Sequence, residues 1–137
     1  MNKEFITYEQ AFALKELGFD EPCFGSWEID YCKVPTYTHS IRCFGSEFYK
    51  NSNHSKGKIT APLYQQAFRW FRDKKFSDGS VCRYGEADGG YLYRWDILHE
   101  YGIYEERHFK QGYKTYEEAE QACLDELIQI VKKSANK

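Results

Sequence analysis

No stretch of this 137-residue sequence is apolar for long, and neither sign of charge dominates it. The densest apolar run, Leu127-Ile128-Gln129-Ile130-Val131, falls far short of the roughly 20 residues that a membrane-spanning helix needs. The opening residues, Met1 to Thr7, hold no apolar segment of the secretory kind, so a cytoplasmic setting is expected. Nineteen Lys and Arg stand against 21 Asp and Glu, for a net charge of -2. Cut at Thr60, the chain has 7 basic and 8 acidic residues before the cut and 12 and 13 after it, so each part carries -1. There is no basic tail or half to drive bulk binding to nucleic acid or an anionic membrane.

Cysteine pairs and catalytic signatures are missing too. The five cysteines, Cys23, Cys32, Cys43, Cys82 and Cys123, form an odd set without a C-x-x-C pair, which reads as reduced thiols. The spacing Cys32-x6-His39-x3-Cys43 matches no zinc signature, so no metal or other cofactor is expected. There is no G-x-S-x-G, phosphate loop, dinucleotide fingerprint or H-E-x-x-H. Cys23, after Pro22 at a turn, is a thiol for a small cysteine-dependent enzyme, but nothing in the sequence brings His39, His54, His99 or His108 to it. These absences argue against an enzyme.

What is abundant is aromatic surface. Twelve Tyr, 10 Phe and 3 Trp make 18% of the chain, enough ring area to favour folding over a solvated coil. The length suits one domain, residues 1–137.

Three helices open with the same chemistry. Thr7-Tyr8-Glu9-Gln10-Ala11 reads as a capping box, and Gly18 and Pro22 end that short helix. Thr115-Tyr116-Glu117-Glu118-Ala119 repeats the opening for the last helix, and Ala61-Pro62-Leu63-Tyr64-Gln65-Gln66-Ala67 starts the middle one. Either a duplicated helix–strands–helix unit or shared capping rules explain the repetition. Leu63, Tyr64, Ala67, Phe68, Trp70 and Phe71 form one apolar face of the middle helix. Ala119, Cys123, Leu124, Leu127, Ile128, Ile130 and Val131 form that of the last. Both are expected to lie flat on a sheet.

Val81 to Tyr84 and Tyr91 to Ile97 read as a hairpin around a glycine-rich loop, and a further strand is expected within Ile103 to Phe109. Short strands are expected in Cys23–Trp27, Ile29–Tyr31 and His39–Phe44, with a loop over Asn51–Lys58. The expected fold is α+β: a mainly antiparallel sheet covered by two long helices, with a short N-terminal helix.

Three surfaces are candidates for binding. If Tyr91, Tyr93, Trp95 and Ile97 turn toward the helices, Arg94 shows on the opposite face. With Cys82 and Tyr84 also turned inward, Arg83 joins it, and the two arginines suit a small anionic or planar ligand. Tyr8 and Phe12, pointing away from the Ala11, Ala13, Leu14 and Leu17 stripe, suit a protein partner. Arg69, Arg72, Lys74 and Lys75 suit nucleic acid. The helix, three strands, helix order from Leu63 onward is that of double-stranded RNA-binding domains. Against that, Glu117, Glu118 and Glu120 open the last helix, where such domains carry lysines.

The strings Phe5-Ile6-Thr7-Tyr8-Glu9-Gln10-Ala11, Leu17-Gly18-Phe19-Asp20-Glu21-Pro22-Cys23-Phe24 and Ala61 to Arg72, with the Tyr116–Lys132 helix, resemble a family of small uncharacterised proteins. That family is encoded by phages, prophages and mobile elements of gut Bacteroides-type bacteria. The resemblance implies a bacterial cytoplasm. It also implies a non-enzymatic binding protein acting on a host factor, a signalling nucleotide or another phage protein. A nucleic-acid-binding module and a cysteine-dependent enzyme are the alternatives.

Overall fold

Thr7 starts the first helix, α1 (Tyr8–Glu16), by the reciprocal exchange its sequence announces. Its hydroxyl accepts the Gln10 N–H at 3.2 Å, and its own N–H donates to Gln10 Oε1 at 3.0 Å. The same Gln10 oxygen accepts the Tyr64 hydroxyl at 3.0 Å, so the cap is also a tertiary contact inside the protein. In the computed structural model the described residues are 4–30, 38–43, 58–87 and 90–135. The elements after α1 are β1 (Gly25–Asp30), β2 (Thr38–Cys43), β3 (Lys58–Ala61), α2 (Tyr64–Lys75), β4 (Ser77–Ala87), β5 (Gly90–Tyr101), β6 (Tyr104–Tyr113) and α3 (Tyr116–Ala135). The fold is α+β with antiparallel sheets and a short N-terminal helix, as expected.

The chain divides into two compact units, Met1–Gln65 and Gln66–Lys137. Each holds a three-stranded sheet, where the sequence suggested a single one. Pairing between strands far apart in sequence leaves no local signal, so the division was not legible beforehand. The strand orders are β2-β1-β3 and β4-β5-β6. The central strand comes first in one unit and second in the other, so the two are not repeats. At two of the three similar helix starts a threonine hydroxyl caps the helix, Thr7 on the Gln10 N–H and Thr115 on the Glu118 N–H at 3.1 Å. Most of the expected Asn51–Lys58 loop lies outside the described residues, and Lys58 itself opens β3.

In the first unit α1 packs on β3, and Ile6, Leu14, Phe19, Cys23 and Ala61 are almost wholly buried. The Ile6 N–H donates to the Pro62 carbonyl at 3.2 Å, and Phe5 forms a bridge with Leu63. These bonds tie the approach to α1 to the start of α2.

In the second unit α3 runs the length of the sheet. Its start meets β5 through an edge-on contact of Tyr116 with Tyr93, ring centroids 5.9 Å apart. Its end meets β5 through Ser134, whose hydroxyl lies 2.9 Å from His99 Nε2. Between them β4 offers Gly79. A Cβ there would stand 2.9 Å from Leu127 Cδ1, closer than such atoms approach, and a tight 3.0 Å from Cys123 Sγ. Glycine lets the helix sit down on the strand, and Cys123, Leu124 and Leu127 are fully buried. The Trp95 indole N–H donates to the Tyr113 hydroxyl at 3.0 Å, linking β5 to β6. Beneath α3, Trp95 and Ile97 are buried, while Tyr91, expected on the same covered face, is 47% exposed. α2 buries Ala67, Trp70 and Phe71. It ends on Phe76, a 65% exposed residue with φ of +54°, a position where glycine is usual.

Gly79→Val is expected to force Leu127 and Cys123 apart and to cost about 1–3 kcal/mol of stability. Urea denaturation would measure it. A variant as stable as wild type would mean that α3 does not sit this close to β4.

Candidate functional site

α3 occupies one face of the second sheet and leaves a cleft of about 470 Å³ on the other. The ladder registers decide which side chains meet there. Val81 faces Trp95, Cys82 faces Arg94 and Arg83 faces Tyr93. Directly opposed residues of an antiparallel pair project from the same face. Cys82 therefore shares the face of Arg94, and Arg83 shares the face of Tyr93 and Trp95. The sequence expectation that Arg83 and Arg94 stand together is corrected here. It rested on Cys82 and Tyr84 turning inward, yet both are exposed. A register shift between Arg83 and Gly85 separates this part of β4 from the rest of the hairpin. Arg83 instead lies over the Tyr91 ring, 4.2 Å from its centroid.

Arg94 gains a different companion. On its face the three strands present rows of Cys82, Arg94 and Gln111; Ser80, Asp96 and Phe109; and Asp78, Leu98 and Arg107. Arg107 is exposed and makes no ion pair among the described residues. Phe109 shows 66% of its surface. Asp96 accepts from Arg94 Nε at 3.1 Å and so fixes the direction of that guanidinium. The Cys82 hydrogen bond first, and the Asp96 carboxylate next, hold the Arg94 pKa above its ordinary value. The face thus combines two guanidiniums, a hydroxyl and an open ring with two carboxylates. Its fixed charges sum to zero, so a ligand here would be selected by shape and local pairing, not by long-range attraction.

The other candidates lie elsewhere. Tyr8 is half-buried and Phe12 is 46% exposed, their ring centroids 6.4 Å apart. Tyr8 also meets Trp27 of β1 edge-on at 6.4 Å, and Trp27 Nε1 donates to the Ile6 carbonyl at 2.9 Å. This is a small aromatic patch with rigid backing. On α2, Arg69 and Lys74 are exposed, Arg72 contacts Asp73 at 3.4 Å, and Lys75 lies 5.4 Å from the Trp70 centroid. Arg72, Lys74 and Lys75 fall in the last turn, where positive charge complements the helix dipole. Cys23 is buried and donates its S–H to the Glu21 carbonyl at 3.4 Å.

Sequence reasoning missed two groups. Arg107 and Phe109 alternate on β6, but that strand is exposed on nearly every residue and gives no hydrophobic contrast to read. His99 continues the buried Trp95, Ile97 series at period two, a signal that was present in the sequence. Ser77 Oγ donates to the Lys75 carbonyl at 3.2 Å and lies 2.5 Å from His99 Nδ1. The Ser77 proton being so used, Nδ1–H donates to Ser77 and Nε2 accepts from Ser134. Burial, and after it the nearby His108, lower the His99 pKa against the opposing pull of Glu106. The imidazole is a neutral link between the sheet and the last turn of α3.

No family model, curated protein or solved structure matches this chain. The reading of the site therefore rests on its own geometry. No helix among the described residues is long and apolar enough to cross a membrane.

Two other titratable groups lie on α3. Burial pushes the Cys123 thiol up, with Asp96 and Glu120 adding to the shift. Burial raises Glu120 from 4.5 to about 7, helped by Glu117 and partly offset by the Tyr116 hydroxyl. A carboxyl raised by folding binds a proton more tightly in the native state, so its contribution is present below its unfolded pKa and is lost as pH rises through about 7. Glu120→Gln is expected to match wild type in melting temperature at acid pH and to exceed it progressively from mildly acid to neutral pH. A difference that is constant with pH would show that Glu120 titrates normally.

Proposed function

We propose that this chain is a non-enzymatic binding protein of the phage or prophage kind, working in a bacterial cytoplasm. Its ligand site is the uncovered face of the second sheet, which takes a small anionic molecule carrying a planar ring, such as a signalling nucleotide. The observation that carries this reading is the grouping of Arg94, Arg107 and Phe109 around one open cleft. A phosphate bound between the guanidiniums gains charge-assisted hydrogen bonds, and a base laid on Phe109 gains stacking of about 1–3 kcal/mol. The Asp96 contact holds Arg94 in place before a ligand arrives, which reduces the ordering cost of binding.

A second reading has its own support. The Tyr8, Phe12 and Trp27 rings form a backed aromatic patch of the kind that anchors protein interfaces, and a host or phage protein would use it. Arg72, Lys74 and Lys75 have helix-dipole or local partners that account for them, and Arg69, which stands outside that last turn, gives nucleic acid no further support by itself.

Calorimetric titration with GTP, ATP and a cyclic dinucleotide separates these. At least one is expected to bind, and Arg94→Ala/Arg107→Ala to weaken it by roughly a hundredfold or more, since each charged contact contributes about 1.5–3 kcal/mol. Tyr8→Ala/Phe12→Ala should leave that affinity unchanged. Binding lost only in the Tyr8/Phe12 protein, or no binding of any of the three, would sink the nucleotide reading.

A further inference from the structure

Among the described residues β6 has a neighbour on one side alone, β5. Its ladder with β5 runs without interruption from Tyr104 to Gln111, and a bulge at Gly112, whose φ is +98°, ends it. Over that stretch every residue but His108 is exposed, so neither α3 nor a described loop covers the strand. An edge this long and regular offers a row of backbone donors and acceptors that a protein must either protect or use.

Charge is the usual protection, but here it is arranged with a direction. Glu105 and Glu106 come first, and Arg107, His108 and Lys110 follow. An antiparallel copy reverses that order and lays acid against base. In such a pair opposed residues share a face, so a two-fold axis must pass through a residue position. Centred on Glu106 or on Arg107, the pairing sets like charges directly against themselves. Centred on Phe109, it sets no acid against a base and runs into the bulge. Centred on His108, it sets the two half-buried imidazoles, each 3.4 Å from its own Glu106, against one another, Glu106 against Lys110 twice, Arg107 against Phe109 twice and Glu105 against Gln111 twice. All seven residues, Glu105 to Gln111, then lie in the uninterrupted stretch. One register satisfies the charges, the faces and the length together.

We propose that two copies associate through antiparallel β6 edges with the axis at His108, forming a continuous six-stranded sheet. The ligand reading above is not required for this. Opposed charge pairs on adjacent strands contribute and like pairs subtract about 0.2–1 kcal/mol each, and the symmetry doubles every pair. Sedimentation equilibrium of the full chain should show a concentration-dependent dimer. Glu106→Lys and Lys110→Glu should each weaken it at least tenfold, while an equimolar mixture of the two variants should recover it as a heterodimer. Circular dichroism establishes that each variant is folded. Should Glu106→Lys fail to fold, the register is still read by Cys82→Ser/His108→Cys, which a short bis-maleimide should join to itself where Cys82→Ser alone is not joined. A wild type that stays monomeric up to millimolar concentration overturns the proposal. A dimer indifferent to the charge reversals, or one that His108→Cys does not cross-link, overturns it too.

Discussion

Everything distinctive in the second unit depends on the two-residue period of β5. Trp95, Ile97 and His99 project to the side that α3 occupies, and Arg94, Asp96 and Leu98 to the side that it leaves open. One residue of slip would bury an arginine and an aspartate and expose a tryptophan. The register is secured at three points by unlike chemistry: a ring contact at Tyr93, a missing side chain at Gly79 and an imidazole at His99. Because these are spread along the strand, no local shift satisfies all three. The open face is therefore as firmly specified as the core, although nothing packs on it from α3.

His99 shows how a polar group takes part in such a core without loss. A buried imidazole with one unsatisfied nitrogen would cost stability comparable to a lost hydrogen bond. Ser77 and Ser134 engage one nitrogen each, and the Lys75 carbonyl takes the proton that Ser77 would otherwise direct at the ring. The chain of four groups reaches from the end of α2, across β4 and β5, to the last turn of α3. It holds in place a helix end that would otherwise fray.

Local signals were legible and non-local ones were not. Thr7 with Gln10, Thr115 ahead of α3, and the antiparallel pairing of β4 with β5 all appear where short-range chemistry demands them. The apolar face of α3 was readable because seven residues repeat it. The separation into two sheets was not, since β1 pairs with both β2 and β3 across segments with no fixed spacing. The face of Arg83 was misjudged because Cys82 and Tyr84 look apolar, while this end of β4 leaves both exposed. Phe76 gave no hint of its left-handed backbone. The Glu100 N–H, donated to the Phe76 carbonyl at 2.9 Å, supports a turn that the residue itself disfavours. One of the three groups of the candidate site, Arg94, was visible beforehand; Arg107 and Phe109 became visible only when β6 was given a neighbour.

The close seat of α3 on Gly79 has a kinetic corollary. It encloses the Cys123 sulfur completely and keeps its proton on, so that thiol meets a reagent in water only when the helix lifts from the strand. Cys82, exposed on the opposite face, has no such shield. The protein thus carries an internal clock and its own reference. The slow alkylation of one cysteine counts the openings of α3, and the fast alkylation of the other reports the reagent itself.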